Sequence, residues 1–185
     1  MTHFLDITEV SENTYIIRKP GTYVYVFRNK NAELTFIVRT PRATVWIFGT
    51  YDLHNDENYR LCTKQVHETA NSSSHLVIKS ALEDASGLSH QGMIHIQKPA
   101  SNTNASLESR HLLLGANAHA TAQPNLEIES DDVHCSHAVT TSPLNKESIF
   151  FLESRGVLPQ KAKEIIKKGF LSSIEKTICE LKNEP

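Results

Sequence analysis

The densest group of chemically reactive side chains lies between Asp131 and His137, where two carboxylates, two imidazoles and one thiol occur within seven residues. If this segment forms a β-strand, alternate side chains point to opposite faces, so Cys135 and His137 share one face with Val133. A thiolate is a soft ligand that suits iron–sulfur clusters or zinc, and an imidazole can replace a thiolate on cluster iron. Cys135 and His137 are therefore predicted to supply half of a metal or cluster site.

Both residues also have a structural interpretation, which the sequence leaves open. Beside Val133, Cys135 has the character of a small inward-facing apolar residue, and His137 has that of a histidine hydrogen-bonded within the fold. A closed zinc site is not predicted, because zinc needs four ligands and the sequence has no C-x-x-C or comparable second pair. A metal at this position would need further ligands from elsewhere.

Two alternatives of other classes use neighbouring residues. A β-helix carbohydrate-active enzyme would use Asp131 or Asp132, although adjacent strand residues face opposite sides and make poor acid–base partners. A metal-binding sandwich of cupin type would use His134 and His137, which needs a bulge because residues three apart on a regular strand also face opposite sides. The sequence contains neither a G-x-S-x-G nucleophile motif nor a G-x-x-x-x-G-K-[ST] phosphate loop.

Composition limits the partners and the compartment. With 19 basic and 21 acidic side chains and no Lys/Arg block, the chain is not predicted to bind nucleic acid or a membrane. Residues 1–20 lack the cationic start and apolar run of a signal peptide. Three cysteines far apart in sequence argue against a disulfide framework and favour a reducing compartment. We expect a soluble, cytoplasmic protein.

The segment that must position these residues has the pattern of many short strands. β-branched or aromatic runs recur about every ten residues at first and about every 14 to 18 later, separated by Ser-, Asn-, Thr- and Ala-rich segments. This pattern fits a β-helix or a sandwich, and small polar turn residues favour the β-helix because stacked coils lie about 4.8 Å apart. The predicted strands include Thr14–Arg18, Tyr23–Phe27, Leu34–Val38, Thr44–Phe48, Leu76–Ile78, Met93–Ile96, His111–Leu114 and Leu126–Ile128.

The pattern changes to helical at residues 142–143. Asn145 is a favourable N-cap for a helix that ends at Gly156, and Pro159 suits the first turn of a second helix. Apolar residues follow at helical spacing, and they are Ala162, Ile165, Ile166, Phe170, Ile174, Ile178 and Leu181. We therefore predict a β-helix core domain over residues 1–141 and a C-terminal helical segment over residues 142–185.

The apolar stripes of this helical segment have two possible uses. In the simpler one, they pack on the last coil and cover the open end of the β-structure, since sheet edges are generally protected. In the other, a second apolar side, indicated by Phe151 and Leu171, fills a groove on another protein.

Several blocks of this sequence, in order and spacing, resemble the C-terminal signature of the SufB/SufD family of iron–sulfur cluster assembly scaffolds, and of its SufD branch in particular. The blocks are Pro124–Ile128, Asp131–His137, Phe150–Gly156 and Gly169–Phe170. The likeness extends upstream to about His67. It implies a right-handed parallel β-helix followed by helices, in a non-catalytic scaffold that pairs with a SufB-like protein and docks on the ATPase SufC.

The resemblance also implies roles for particular residues. His137 matches the histidine through which SufD is thought to contribute to a transient nascent cluster shared with SufB, and Cys135 matches the nearby thiol. The essential cysteine and glutamate of SufB align with Ser109 and Ala138, so a SufD-like protein is favoured over a SufB-like homodimeric scaffold. Docking on SufC is expected to use Phe151, Arg155, Phe170 and Leu171. The chain resembles a short form that lacks the family's N-terminal helical region.

Overall fold

The computed structural model describes residues 2–183, which contain eleven strands followed by two helices. The strands are β1 (Thr2–Asp6), β2 (Thr14–Ile17), β3 (Gly21–Arg28), β4 (Ala32–Val38), β5 (Ala43–Leu53), β6 (Asn58–His67), β7 (Ser73–Leu82), β8 (Gly87–Ile96), β9 (Thr103–Leu113), β10 (His119–Ile128) and β11 (Val133–Pro143). The helices are α1 (Lys146–Glu153) and α2 (Pro159–Asn183).

Odd-numbered and even-numbered strands form two separate parallel sheets. Sheet A has the order β1-β3-β5-β7-β9-β11, and sheet B has the order β10-β8-β6-β4-β2. Because consecutive strands alternate between the sheets, each even strand and the odd strand after it make one coil of a parallel β-helix. The predicted β-helix is confirmed, and the sandwich is excluded because the strands pair in parallel.

Pairing in register aligns the inward-facing residues of successive coils into columns. Ile47, Leu76 and Leu107 lie opposite one another on β5, β7 and β9, and all three are almost fully buried. One coil takes about 30 residues, since Leu76 pairs with Leu107. The predicted interval of about 14 to 18 residues therefore corresponds to half a coil.

The turns between the sheets are built on residues with positive φ. Arg42, Asn71 and Asn102 have φ angles of 57°, 57° and 51° at matching corners of successive coils. Asn tolerates this left-handed conformation better than most residues. The Asn102 side chain donates a hydrogen bond to Asn71 Oδ1 at 2.7 Å, and the Arg42 backbone N–H donates to the Asn71 carbonyl at 2.7 Å. These bonds link the corners of adjacent coils.

The two helices begin where the sequence predicts. Asn145 caps α1 by accepting a hydrogen bond from the Glu147 backbone N–H at 2.8 Å, and Gly156, with φ of 83°, follows the helix end. Helix α2 begins at Pro159. The division of the chain into domains at residues 141 and 142 stays a prediction.

Helix α2 packs on the outer face of sheet A rather than over the last coil. Its apolar stripe, Ile174, Ile178 and Leu181, forms one buried cluster with Val24, Val26 and Phe48 of β3 and β5. The ammonium group of Lys79 donates to the Phe170 carbonyl at 3.2 Å and to the Ser173 hydroxyl. The expectation that the stripe covers the open end is wrong, because α2 turns back toward the earlier coils.

Candidate functional site

The last coil, β10 and β11, ends the β-helix with its inward face uncovered. We call this surface the open end. Its aligned side chains Leu126, Ile128 and Val139 are 38%, 44% and 40% exposed. One coil earlier, Ile94 and Ile96 hold the positions of Leu126 and Ile128 and are fully buried. Within residues 2–183, β10 and β11 each pair along one edge, so the other edge presents unpaired backbone groups.

Cys135 and His137 both lie on the inward face of the open end. His137 pairs with Leu107 and so extends a column of buried apolar residues, yet it is itself exposed. Cys135 pairs with Ala105, is half-buried and packs against the core together with Val133. The structure thus brings the two predicted ligands to one face of β11, two residues apart.

The environment of the Cys135 thiol favours its protonated form. Burial raises the pKa of Cys135, while a backbone hydrogen bond with Ala105 partly opposes this increase. The thiol is consequently a weak nucleophile in this chain alone. A metal ion that replaced the proton would convert it into a thiolate ligand.

A group of buried polar residues lies directly beneath the open end. His90 forms hydrogen bonds with Ser109 at 2.8 Å and Thr63 at 3.0 Å, and His111 forms one with Ser80 at 2.7 Å. Burial lowers the pKa of His90 and His111 to about 4, so both imidazoles are neutral at physiological pH. No local motif in the sequence marks these histidines, because their partners lie 19 to 31 residues away.

The structure gives no support to the two alternative sites. Within residues 2–183, no compact group of three metal-ligating side chains includes Asp131, Asp132, His134 or His137. The register of β11 with β9 is continuous from Val133 to Pro143, so there is no bulge to bring His134 and His137 to the same face. A cupin-type site is therefore excluded, and the two aspartates stand exposed before the strand.

The helices present a second exposed apolar surface, formed by Phe150, Phe151, Leu158 and Ile165. Phe150 and Leu158 are 71% and 73% exposed, and the Arg155 guanidinium lies 4.1 Å from the centre of the Phe151 ring. We call these residues the helical patch. The other two predicted docking residues, Phe170 and Leu171, are half-buried, with Lys79 Nζ 4.8 Å from the Phe170 ring centre. The helical spacing of the sequence predicts Ile165 on the packing stripe of α2, yet it is 44% exposed.

Comparison with known families identifies this β-helix. Residues 25–170 match the family model described as "SUF system FeS cluster assembly, SufBD core domain". This chain belongs to the SufBD family. The matched segment includes the open end, α1 and the first half of α2, so the predicted family membership is confirmed.

Three relatives illustrate the similarity of this SufBD chain to other proteins of the family. It is 32% identical over 100 residues to the iron–sulfur cluster assembly protein SufD of Escherichia coli, covering 54% of this chain and 24% of that protein. It is 28% identical over 131 residues to a SufBD family protein of Mycobacterium tuberculosis, covering 71% and 15%. It is also 28% identical over 115 residues to a SufBD family protein of Staphylococcus saprophyticus, covering 62% and 25%.

The SufBD chain therefore spans a quarter or less of the length of these relatives. Neither α1 nor α2 has the length and apolar character needed to cross a membrane. Within residues 2–183, Cys62, Cys135 and Cys179 form no disulfide. Membership of the family links this chain to SUF iron–sulfur cluster assembly.

Proposed function

We propose that this chain is a SufD-like, non-catalytic scaffold subunit of the cytoplasmic SUF system, which pairs with a SufB-like protein and docks on a SufC-like ATPase. The observation that carries this proposal is the open end. There, the last coil continues the register of the buried coils but exposes three large apolar side chains, Leu126, Ile128 and Val139, beside His137. It also leaves one edge of β10 and one edge of β11 unpaired within residues 2–183. Such a surface favours association with another protein.

The SufB-like partner covers the open end. Its strands add to the free edges of β10 and β11 through backbone hydrogen bonds, while its apolar side chains bury Leu126, Ile128 and Val139. Burial of these side chains on both partners provides the driving force. The interface therefore forms next to Cys135 and His137.

A nascent iron–sulfur cluster is the cargo of this interface. The imidazole of His137 and the thiolate of Cys135 are two ligands on one face of β11, whereas a cluster held by the protein takes about four. The remaining ligands come from the partner. Sharing the ligands between two subunits makes the cluster transient, because separating or shifting the subunits removes half of its ligands.

Two observations support a SufD-like role over a SufB-like one. Ser109 stands where the resemblance places the essential cysteine of SufB, and its buried hydroxyl is occupied by a hydrogen bond with His90 at 2.8 Å. Ala138 stands where SufB has a glutamate and offers no ligand atom. The similarity to E. coli SufD points the same way.

The helical patch is the docking surface for the SufC-like ATPase. Phe151 and Arg155 form its centre, since the guanidinium stacks over the ring and both side chains are exposed. Exposed Phe150 and Leu158 extend the patch. Helix α2 connects the helical patch to sheet A, where Lys79 donates a hydrogen bond to the Phe170 carbonyl. The half-buried Phe170 and Leu171 hold α2 in the orientation that docking requires.

Co-purification tests both interfaces separately. The tagged chain is co-expressed with the SufB-like and SufC-like proteins of its own organism and isolated anaerobically. We expect both proteins to be retained. Val139→Asp places a carboxylate in the apolar interface and should lose the SufB-like protein while keeping SufC, and Phe151→Ala with Leu158→Ala should do the reverse.

All these substituted residues are exposed in the chain alone, so the variants should fold normally, which circular dichroism verifies. Retention of neither protein by the unmodified chain contradicts the proposal. Retention of a second copy of the chain instead of the SufB-like protein supports a homodimeric scaffold and contradicts the heterodimer.

A further inference from the structure

A second group of metal-ligating side chains lies on the outer face of sheet B, apart from Cys135 and His137. His95 of β8 pairs directly with Glu127 of β10, and Glu129 follows at the end of β10. One nitrogen or oxygen atom from each of the three side chains lies within 4.8 Å of the others. Strand pairing fixes His95 and Glu127 side by side, so this arrangement does not depend on a flexible loop.

The three side chains are already oriented toward one another. His95 Nε2 and Glu129 Oε1 are 3.0 Å apart. The Glu129 carboxylate also accepts a hydrogen bond from the backbone N–H of Lys98, so two contacts position it. The His95 side chain is only 15% exposed, which restricts its rotation.

A comparison within the molecule shows why this group is available to a cation. Asp52, His54 and Glu83 form a similar group beneath α2. There, however, Lys167 lies 2.8 Å from Glu83 and 3.2 Å from Asp52, and Lys163 lies 3.1 Å from Glu83. Two ammonium groups thus neutralise that acidic group. For His95, Glu127 and Glu129, the only ion pair among the described residues is the one between His95 and Glu129, and the charge of Lys98 acts on Glu129 from a longer distance.

The ligand set suits a borderline divalent ion. Imidazole nitrogen and carboxylate oxygen bind Zn²⁺ and related first-row ions at about 2.0–2.2 Å, which places ligand atoms about 3–4 Å apart. Closing the group from its present spacing requires small rotations of the exposed glutamates. Mg²⁺ and Ca²⁺ prefer ligand sets made of oxygen alone, so the imidazole disfavours them.

We propose that His95, Glu127 and Glu129 form a binding site for one divalent first-row transition ion on the outer face of sheet B. The ion replaces the contact between His95 Nε2 and Glu129 and takes the neutral imidazole as a ligand. Three protein ligands leave further coordination positions for water or another molecule. The site does not depend on the proposed scaffold role: Glu127 lies on β10, whose free edge that role uses, but its side chain faces outward, opposite to Leu126 and Ile128.

Metal titration of the untagged, metal-free chain tests this site. Calorimetry with Zn²⁺ and visible absorption with Co²⁺ should each show about one equivalent bound per chain. Glu127→Gln removes a charged ligand from an exposed position without changing its shape, and we expect binding about tenfold weaker or more. His95→Ala should abolish the Co²⁺ absorption, with circular dichroism confirming that the variant folds.

Two control variants separate this site from the other ligands in the chain. His54→Gln alters the lysine-neutralised group and should leave the titration unchanged. Cys135→Ser with His137→Ala removes the ligand pair at the open end but leaves His95, Glu127 and Glu129 unchanged. This variant should therefore still bind about one equivalent of Zn²⁺ or Co²⁺. The proposal is overturned if no stoichiometric binding occurs, if Glu127→Gln binds as tightly as the unmodified chain, or if the control variants lose the signal.

Discussion

The two ends of the β-helix differ in how far their inward-facing apolar side chains are buried. At the N-terminal end, the rings of Tyr15, Tyr25 and Phe36 pack with centroids 4.9 to 5.3 Å apart and are almost completely buried. The Lys30 ammonium group donates hydrogen bonds to the carbonyls of Ile7, Thr8 and Val10 at 2.9, 3.0 and 2.6 Å. These bonds anchor the segment between β1 and β2 to the turn between β3 and β4.

The open end has no comparable cover within residues 2–183. At the N-terminal end, Tyr15 and Ile17 of β2 are buried, whereas Leu5 of β1, which pairs with Tyr25, is 41% exposed. The open end therefore exposes more of its inward-facing apolar side chains than the N-terminal end does. The larger uncovered apolar surface of the open end supports the proposal that a partner binds there.

The largest expected difference is between buried and exposed apolar residues at the two ends. Phe36→Ala should lower the free energy of unfolding by about 3–5 kcal/mol, because it leaves a cavity among packed rings. Leu126→Ala should cost less than about 1 kcal/mol in the isolated chain, since Leu126 is already partly in water. Urea unfolding measures both. Equal costs would mean that the open end is an ordinary part of the core.

Acid should destabilise the coil beneath the open end. Burial lowers the pKa of His90 to about 4 in the folded chain, well below the usual value of an imidazole, about 6.5. Its contribution is fully present above about pH 6.5 and is lost as the pH falls toward 4, which amounts to about 3 kcal/mol. Urea unfolding of His90→Gln should depend less on pH over this range than that of the unmodified chain. Identical pH dependence would contradict the assignment of a neutral, buried His90.

Lys30 provides a smaller and more local test at the N-terminal end. Lys30→Met keeps the length of the side chain but removes its hydrogen bonds to three carbonyls, at a cost of about 1–2 kcal/mol. Hydrogen exchange should accelerate in residues 7–13 and remain unchanged in β10 and β11. Uniform acceleration along the chain would show that the Lys30 contacts support the whole β-helix rather than one end.

The sequence predicts the strands with apolar inward faces but not those with polar ones. Runs such as Leu34–Val38 lie within observed strands, whereas β6 was not predicted. The inward residues of β6 include Thr63, Gln65 and His67, which interrupt the apolar alternation. Hydrogen bonds compensate for most of this buried polarity: His67 bonds Ser72, just before β7, at 2.7 Å and Ser74 of β7 at 2.8 Å. Gln65 Nε2 donates to the Ser106 carbonyl, whereas Gln65 Oε1 has no partner among residues 2–183.

In the candidate sites, too, the sequence predicts arrangements within one strand but not contacts between coils. Alternation along β11 correctly places Cys135 and His137 on one face, because that depends on neighbouring residues only. The His95 and Glu127 pair joins residues that lie 32 positions apart, and the contact exists only once the register of β8 and β10 is set. Because the coils differ in length, a fixed repeat length in the sequence does not predict which residues of β8 and β10 pair. The exposure of the helical patch likewise depends on where α2 docks.

His137 gives the smallest expected effect on stability and the sharpest test of the contrast. His137→Ala should change the free energy of unfolding by no more than about 0.5 kcal/mol, because the side chain is exposed. Leu107→Ala, one coil earlier in the same column, should cost about 2–5 kcal/mol. With the SufB-like and SufC-like proteins present, His137→Ala should still reduce cluster assembly, followed by visible absorption under anaerobic conditions. A loss of stability comparable to that of Leu107→Ala would instead show that His137 is a core residue. The open end would then have no exposed histidine on its inward face to act as a cluster ligand.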